Sequence, residues 1–304
     1  MRSKRETIFV PDGPWYLHRI FFTTKTNRPL TEVIPYRLLS MICKDALAVR
    51  ANYVCCAFDG PDVFRYKVYP LYKGERKGKA HAEPVDNGYS SSASELDVYD
   101  FLDPIYQLFS QIGMGFYQPK KYEADDVLCS IARKYGDRYR VICGTSDKDA
   151  YQYLTEYVSL YDSSYKDPQT KEAAPRFITV ADAEARKGVR VDQMVDYQTL
   201  IGDKGDSIPA IKGYGPVTAK KLLEEHGTLQ AWYKQSTGKE RRFIQENLEL
   251  FRRNRKLVQL VDTCAPPSDV DEWKLYKEKP VISLPGPYHD LHSVMYPKTK
   301  GLFR

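Results

Sequence analysis

Hydrophobic and polar positions follow two rhythms along this chain, and the change between them predicts its architecture. Residues 7–10 form a short apolar run that stops at Pro11-Asp12-Gly13, as a strand does on meeting a turn. Over residues 34–49 apolar side chains recur at helical spacing, with Ile34, Leu38, Met41 or Ile42, Ala46 and Val49 on one face. A second strand is expected over residues 53–58, closing at Asp59-Gly60-Pro61. Strand, helix, strand is the opening of a parallel α/β sheet. A long helix is expected from about Glu95, with Val98, Leu102, Ile105, Leu108 or Phe109 and Ile112 facing the core. Another opens at Glu123 and runs to about Tyr135. Strands follow at residues 139–143, 158–161 and 177–180, with a short helix carrying Tyr153 and Leu154 after the first. Beyond Asp192 the strand rhythm disappears, so a junction between a sheet domain and a helical lobe is expected near residues 185–195.

Composition narrows the class. The 304 residues are 42% hydrophobic and 13% aromatic, enough for a substantial core and too apolar for a disordered tail. No run approaches a membrane span, and the opening residues lack a hydrophobic signal segment, so no membrane contact and an intracellular, cytoplasmic location are expected, the host cytoplasm if the source is viral. Cys43, Cys55, Cys56, Cys129, Cys143 and Cys264 show no metal-knuckle spacing and read as reduced core residues.

Carboxylates carry the candidate chemistry. Asp12, Asp59, Asp147 and Asp149 each follow a strand candidate, and an open α/β sheet binds its ligands beyond the carboxyl ends of its strands. Glu123, Asp125 and Asp126 lie at a helix start, where free N–H groups tolerate negative charge. Asp203 and Asp206 follow the helical pattern ending at Leu200. Taken singly, an aspartate after a strand is a helix cap or turn residue. Taken together, nine carboxylates need counter-charge, and an all-oxygen donor set favours magnesium or manganese. Two such ions about 4 Å apart can hold a phosphodiester for hydrolysis without a protein nucleophile.

Charge supplies the partner. The chain holds 46 basic side chains against 40 acidic, and the nine proposed ligands are among the latter, so the rest of the surface is basic enough to attract a polyanion. Residues 65–79 carry Arg65, Lys67, Lys73, Arg76, Lys77 and Lys79 with interleaved tyrosines and one acid, Glu75. In Ile208-Pro209-Ala210-Ile211-Lys212-Gly213-Tyr214-Gly215-Pro216-Val217-Thr218-Ala219-Lys220-Lys221, Gly213 and Gly215 permit a tight hairpin. Pro216 suits a first helical turn, whose N–H groups can hold a backbone phosphate beside Thr218, Lys220 and Lys221.

In this order the motifs resemble the bacteriophage-type 5′ nucleases of the flap endonuclease and 5′→3′ exonuclease family, which includes phage RNase H. The resemblance rests on Asp12, on Phe58-Asp59-Gly60, on Glu123-Ala124-Asp125-Asp126, on Ser146-Asp147-Lys148-Asp149, and on Asp203 and Asp206 before the Ile-Pro-x-x-x-Gly-x-Gly hairpin. It implies an α/β fold with a PIN-like, mostly parallel central sheet flanked by helices. A C-terminal helical lobe would contain a helix-hairpin-helix (helix-three-turn-helix) element. The implied division is a nuclease domain over 1–190 with an arch segment at about 65–94, a DNA-binding lobe over 191–265 and an extended tail over 266–304. Asp12, Asp59, Glu123, Asp125 and Asp126 would hold one metal ion, and Asp147, Asp149, Asp203 and Asp206 the other. At the arch base Lys73 and Arg76 would offset phosphate charge and Tyr72 would stack on a terminal base, while Arg65 and Lys77 would touch nucleic acid. The resemblance extends to a potassium ion at the hairpin, to branched or 5′-ended duplex DNA and RNA–DNA hybrids as substrates, and to replication or primer removal by a monomer. The tail either wraps the body or contacts a replication protein. Two other readings use the same features: a non-catalytic nucleic-acid-binding scaffold, and a PIN-like single-strand ribonuclease.

Overall fold

The computed structural model describes residues 5–74, 98–112 and 114–274. In chain order the elements are β1 (Thr7–Pro11), α1 (Gly13–Thr23), α2 (Leu30–Ala48), β2 (Tyr53–Ala57), α3 (Phe64–Val68), α4 (Leu102–Ile112), β3 (Gly115–Tyr117), α5 (Ala124–Tyr135), β4 (Arg140–Gly144), β5 (Val158–Asp162), β6 (Arg176–Ile178), α6 (Val180–Lys187), α7 (Met194–Ile201), α8 (Pro216–His226), α9 (Leu229–Gln235), α10 (Gly238–Glu246) and α11 (Leu248–Val258). The strands form one sheet in the order β3-β2-β1-β4-β5-β6. All pairings are parallel except β5 with β6.

The central strands are buried on both faces, and their alternation sorts side chains between two cores. Phe9, Val54, Cys56 and Ile142 pack with Tyr16, Leu17, Ile20, Leu38, Ile42 and Phe109 from α1, α2 and α4. Ile8, Val10, Cys55, Val141 and Cys143 face Val127, Leu128 and Ile131 of α5. The second core continues into the helical lobe, where Trp232 is 1% exposed and packs against Tyr214 and Phe251. All six cysteines are buried and free. Among the described residues no helix is long and apolar enough to cross a membrane.

Several elements depart from the sequence pattern. The strand expected over residues 177–180 ends at Ile178, and Thr179 caps α6, so Val180 is helical; α3 lies where no helix is expected. The residues read as a turn after β1 begin α1, with Asp12 as its cap, its side chain accepting from the Trp15 N–H, and with proline in the first turn. Besides the buried Tyr16, Leu17 and Ile20 it carries Trp15, Phe21 and the exposed Phe22, which hides the period. The strand β3 is only three residues long, too short to alternate visibly. The expected helix start at Glu95 and the side chains of Val98 and Ile112 lie outside the described residues, as do Arg76, Lys77, most of the expected arch and the tail beyond residue 274.

Between α7 and α8 the chain makes the turn that carries Asp203 and Asp206. Gly202 has φ 65° and ψ −170°, and a Cβ there would lie 2.4 Å from the Ile208 carbonyl oxygen. Only glycine adopts that conformation without strain. Gly202→Ala should therefore destabilise the chain by about 1–3 kcal/mol. Gly215→Ala, where the backbone φ is −76° and a Cβ meets nothing within 4 Å, should stay within about 0.5 kcal/mol of wild type. Denaturant unfolding of the two variants checks the contrast, and equal stability would refute the strain argument.

Candidate active site

Because β2, β1 and β4 are adjacent, the residues that follow them share one edge of the sheet. Asp12 is fixed there by two hydrogen bonds, from the Trp15 N–H at 3.1 Å and from the Thr145 hydroxyl at 3.0 Å. Asp59 accepts from the Ala124 N–H at 2.8 Å and from the Tyr99 hydroxyl at 3.2 Å, which ties the end of β2 to the start of α5. Asp147 accepts from the Asp149 N–H at 2.9 Å in a tight turn after β4. From the far side, the turn after α7 brings Asp203 and Asp206. Glu123, Asp125, Asp147, Asp149, Asp203 and Asp206 line one cleft of about 50 Å³, with Lys73 at its wall.

The electrostatics of the cleft record this crowding. Burial, with Asp59 and Asp147 nearby, pushes Asp12 up to about 7 despite its two hydrogen bonds. Burial, then Asp147 and Asp203, pushes Asp149 up to about 7 as well. Asp125 is raised well above the carboxylate range by burial, Asp12 and Asp147, and its Oδ1 is a buried atom with no hydrogen-bond partner. Asp59 is raised mainly by burial. Two acids move the other way. Burial alone would raise Glu123, but Lys73 and Arg65 hold it below its usual value. Burial would likewise raise Asp203, but Lys148, whose Nζ lies 2.7 Å from its carboxylate, holds it down.

This donor set fits a hard divalent cation. The donors are carboxylate oxygens, one of them is orphaned, and a nearby positive charge would favour the ionised form of the raised acids. Among the described residues no three His, Cys, Asp or Glu side chains are drawn together closely enough to form a metal cage by themselves. The cleft is lined with carboxylates rather than closed around a point.

Several residues expected as ligands or nucleic-acid contacts are instead taken up by bonds within the protein. Asp126 accepts four hydrogen bonds: two from the Arg65 guanidinium at 2.6 and 2.7 Å, one from the Glu123 N–H at 3.0 Å and one from the Val261 N–H at 2.9 Å. A carboxylate has about four lone-pair sites, so none of Asp126's is left to face the cleft. Arg65, expected on the nucleic-acid surface, is 1% exposed. Its five N–H donors meet Glu123, Asp126 twice, and the carbonyls of Leu257 and Gln259. Tyr72, expected to stack on a base, is 3% exposed and packs with Ile208, Leu257 and Val258. Its hydroxyl bonds Glu123 at 3.0 Å and Asp206 at 3.2 Å. A run of basic and aromatic residues in sequence does not reveal which of them the fold turns inward.

Lys73 does reach the cleft, with its Nζ paired to Glu123. It adopts φ 53°, and its N–H donates to the Asp206 carbonyl at 3.0 Å, which fixes the side chain's direction. At the hairpin, Gly213, Gly215, Thr218 and Lys221 are exposed. Lys220 instead folds toward the C-terminal end of α6, its Nζ 2.8 Å from where a Cβ on Gly188 would stand. The sequence reading missed Thr145, Lys148, Gln198 and Tyr99, each of which bonds one of the acids. Thr145 and Lys148 flank Asp147 and could have been found; Gln198 and Tyr99 carry no local signal.

Comparison with known proteins identifies the fold and the family. Residues 7–186 match the family model described as 5′-3′ exonuclease, N-terminal resolvase-like domain, and residues 189–280 match 5′-3′ exonuclease, C-terminal SAM fold. The chain is 32% identical over 239 residues to a DNA polymerase I of Deinococcus radiodurans, covering 76% of this chain but only 22% of that protein. A 5′-3′ exonuclease of Aquifex aeolicus is 26% identical, with 84% of this chain and 82% of that one covered. Among solved structures, a bacteriophage T5 flap endonuclease in a pseudo-enzyme-product complex with DNA and metal ions superposes with a TM-score of 0.66 at 23% identity, over 84% of this chain and 89% of that one. A T5 5′-exonuclease with bound zinc gives 0.65 at 24% identity, over 84% and 90%. These likenesses correct the PIN-like label: the architecture is a resolvase-like N-terminal domain followed by a SAM-like helical one. Strand-helix alternation with acids at strand ends is common to many doubly wound sheets, so periodicity could not separate the two. With one model spanning more than half of its length and the second following in order, this chain belongs to the 5′-3′ exonuclease family.

Proposed function

We propose that the chain is a divalent-metal-dependent, structure-specific 5′ nuclease that hydrolyses phosphodiester bonds at 5′ ends or flaps of DNA and in the RNA strand of RNA–DNA hybrids, in replication or primer removal. The observation that carries this reading is the cleft itself, where buried, mutually repelling carboxylates surround an orphaned Asp125 oxygen beside Lys73. The T5 relatives, whose structures hold DNA and metal ions, support it. Asp12, Asp59, Glu123 and Asp125 are the candidate ligands of one magnesium or manganese ion, and Asp147, Asp149, Asp203 and Asp206 those of a second. Asp126 acts behind them by positioning Glu123. When bound, such ions supply Lewis-acid stabilisation of phosphoryl oxygens and lower the pKa of water.

The chain's own residues do the rest. Lys73 stands at the cleft wall, where its ammonium can offset charge developing on the scissile phosphate. The first-turn N–H groups of α8, with Thr218 and Lys221, present a cradle for duplex backbone that is indifferent to base sequence. Carbonyls of the hairpin are candidate ligands for potassium. In this reading residues 1–190 cut and residues 191–265 grip, and a monomer suffices because one chain supplies every ligand. Selection comes from shape: an end or flap that is already unpaired reaches the acids without the few kcal/mol that unstacking a base requires.

Three outcomes are expected. Asp147→Ala combined with Asp149→Ala should abolish magnesium-dependent cleavage of end-labelled flap, nicked and hybrid substrates while thermal unfolding stays cooperative, since both acids are half-buried and lie outside the hydrophobic cores. Product mapping decides, and a folded wild-type chain that cuts none of these substrates with magnesium would end the nuclease reading in favour of a binding scaffold. Lys73→Ala should slow single-turnover cleavage by on the order of a hundredfold and change duplex affinity far less. A loss confined to affinity would remove Lys73 from the chemistry. Lys220→Ala with Lys221→Ala should flatten the dependence of log binding constant on log salt by about one unit for each phosphate no longer neutralised. Lys221→Ala alone should account for most of the change, and an unaltered slope takes both lysines out of the footprint.

A further inference from the structure

Residues 257–264 run from the last turn of α11 into a strap without regular secondary structure, and the sheet domain holds that strap through side chains. Arg65 donates from Nε and Nη2 to the carbonyls of Leu257 and Gln259, at 2.9 and 3.1 Å. Gln152 donates to the Val258 carbonyl at 3.1 Å and accepts from the Leu260 N–H at 2.9 Å. Asp126 accepts from the Val261 N–H at 2.9 Å. Ser130, one helical turn further along α5, donates to the Val261 carbonyl and accepts from the Cys264 N–H, both at 3.0 Å. All four side chains are buried: Asp126 and Ser130 are 0% exposed, Arg65 1% and Gln152 7%.

Apolar packing alone would join the lobe to the sheet domain and would tolerate sliding. A row of directional bonds to consecutive backbone groups does not, because hydrogen bonds weaken steeply with distance and angle. The row is linked to both functional parts. Arg65 and Asp126 also bind Glu123 of the acidic cleft. Just before the strap, Asn254 on α11 is fully buried and donates to the carbonyls of Thr199 and Pro209, at 3.2 and 2.7 Å, on either side of the turn that carries Asp203 and Asp206 and leads into the hairpin.

We infer that the 257–264 strap is a ruler: it fixes the distance between the duplex grip and the acidic cleft, and so selects the nucleotide at which the strand is cut, with Gln152 and Ser130 as its positioning residues. This rests on the nuclease reading above. Successive phosphates on one strand rise by about 3.4 Å, so a slip of that size at the strap moves the cut by one nucleotide.

The test maps products at nucleotide resolution, using the full chain, magnesium and a single end-labelled flap duplex. Ser130→Ala combined with Gln152→Met keeps every carboxylate of the cleft and removes four strap bonds; because it also loses the Gln152 bond to the Asp149 carbonyl, Ser130→Ala alone, whose bonds are to the strap, is mapped beside it. The wild type should cut at one dominant position. The double variant should spread its cuts over neighbouring nucleotides, with a single-turnover rate about tenfold to a hundredfold lower and duplex affinity little changed. A merely structural role would lower stability and rate without moving the cut. A folded double variant that cuts at the wild-type position therefore overturns the inference. If that variant does not fold, Ser130→Ala alone is read by the same criterion. A wild type that does not cut overturns the nuclease reading and this one with it, whereas a wild type that cuts beside a variant of unchanged register overturns this one alone.

Discussion

The structure depends on keeping like charges together inside a protein. Isolated, each carboxylate at the sheet edge would escape to water or take up a proton; here the fold removes the first option, and the raised pKa values of Asp12, Asp125 and Asp149 mark the second. What makes the arrangement tolerable is a neutral group beside it. Arg65 and Lys73 carry two positive charges, Asp126 and Glu123 two negative ones, and the four are bonded to one another. Buried ion pairs of this kind add little net stability compared with apolar packing, yet breaking one is severe, because it strands the partner charge. Their effect is to hold Glu123 ionised beside Asp12, Asp125 and Asp149, which are pushed toward neutrality.

The division of the acids follows from which have been satisfied. Asp126 has its lone pairs occupied by protein donors and is a strut. Asp125, one residue earlier in the same helix turn, has an oxygen with no partner and faces the cleft. Residues adjacent on a helix point about 100° apart, so one helix start can supply both an acid facing the cleft and its support. Asp12 likewise serves twice, as the cap of α1 and as an acid of the site. That economy places the site on rigid elements and leaves little freedom for its side chains to drift.

The helical lobe is joined to this centre by polar bonds as well as apolar contact. The second core runs without a break from the sheet into the lobe, and the strap after α11 adds directional contacts to buried side chains. In the proposed function, which grips a duplex in one place and acts in another, the spacing between the two is itself a functional quantity.

The sequence alone determined the strand-helix rhythm, the position of acids after β1, β2 and β4, and the hairpin chemistry of Gly213, Gly215 and Pro216, because each is a local pattern tied to backbone period or dihedral preference. The order of those motifs was also enough to reach the family. Tertiary structure alone decided which charged and aromatic residues face solvent: Arg65 and Tyr72 lie in a basic, tyrosine-rich run that reads as surface, and the fold buries both. It also decided that Asp126 is a strut, that Lys220 turns toward α6, and that Gln152 and Ser130 clasp a strap more than a hundred residues away. Those roles depend on partners distant in sequence, and a one-dimensional pattern records what a residue is and where it stands in its own element, but not what the folded chain brings against it.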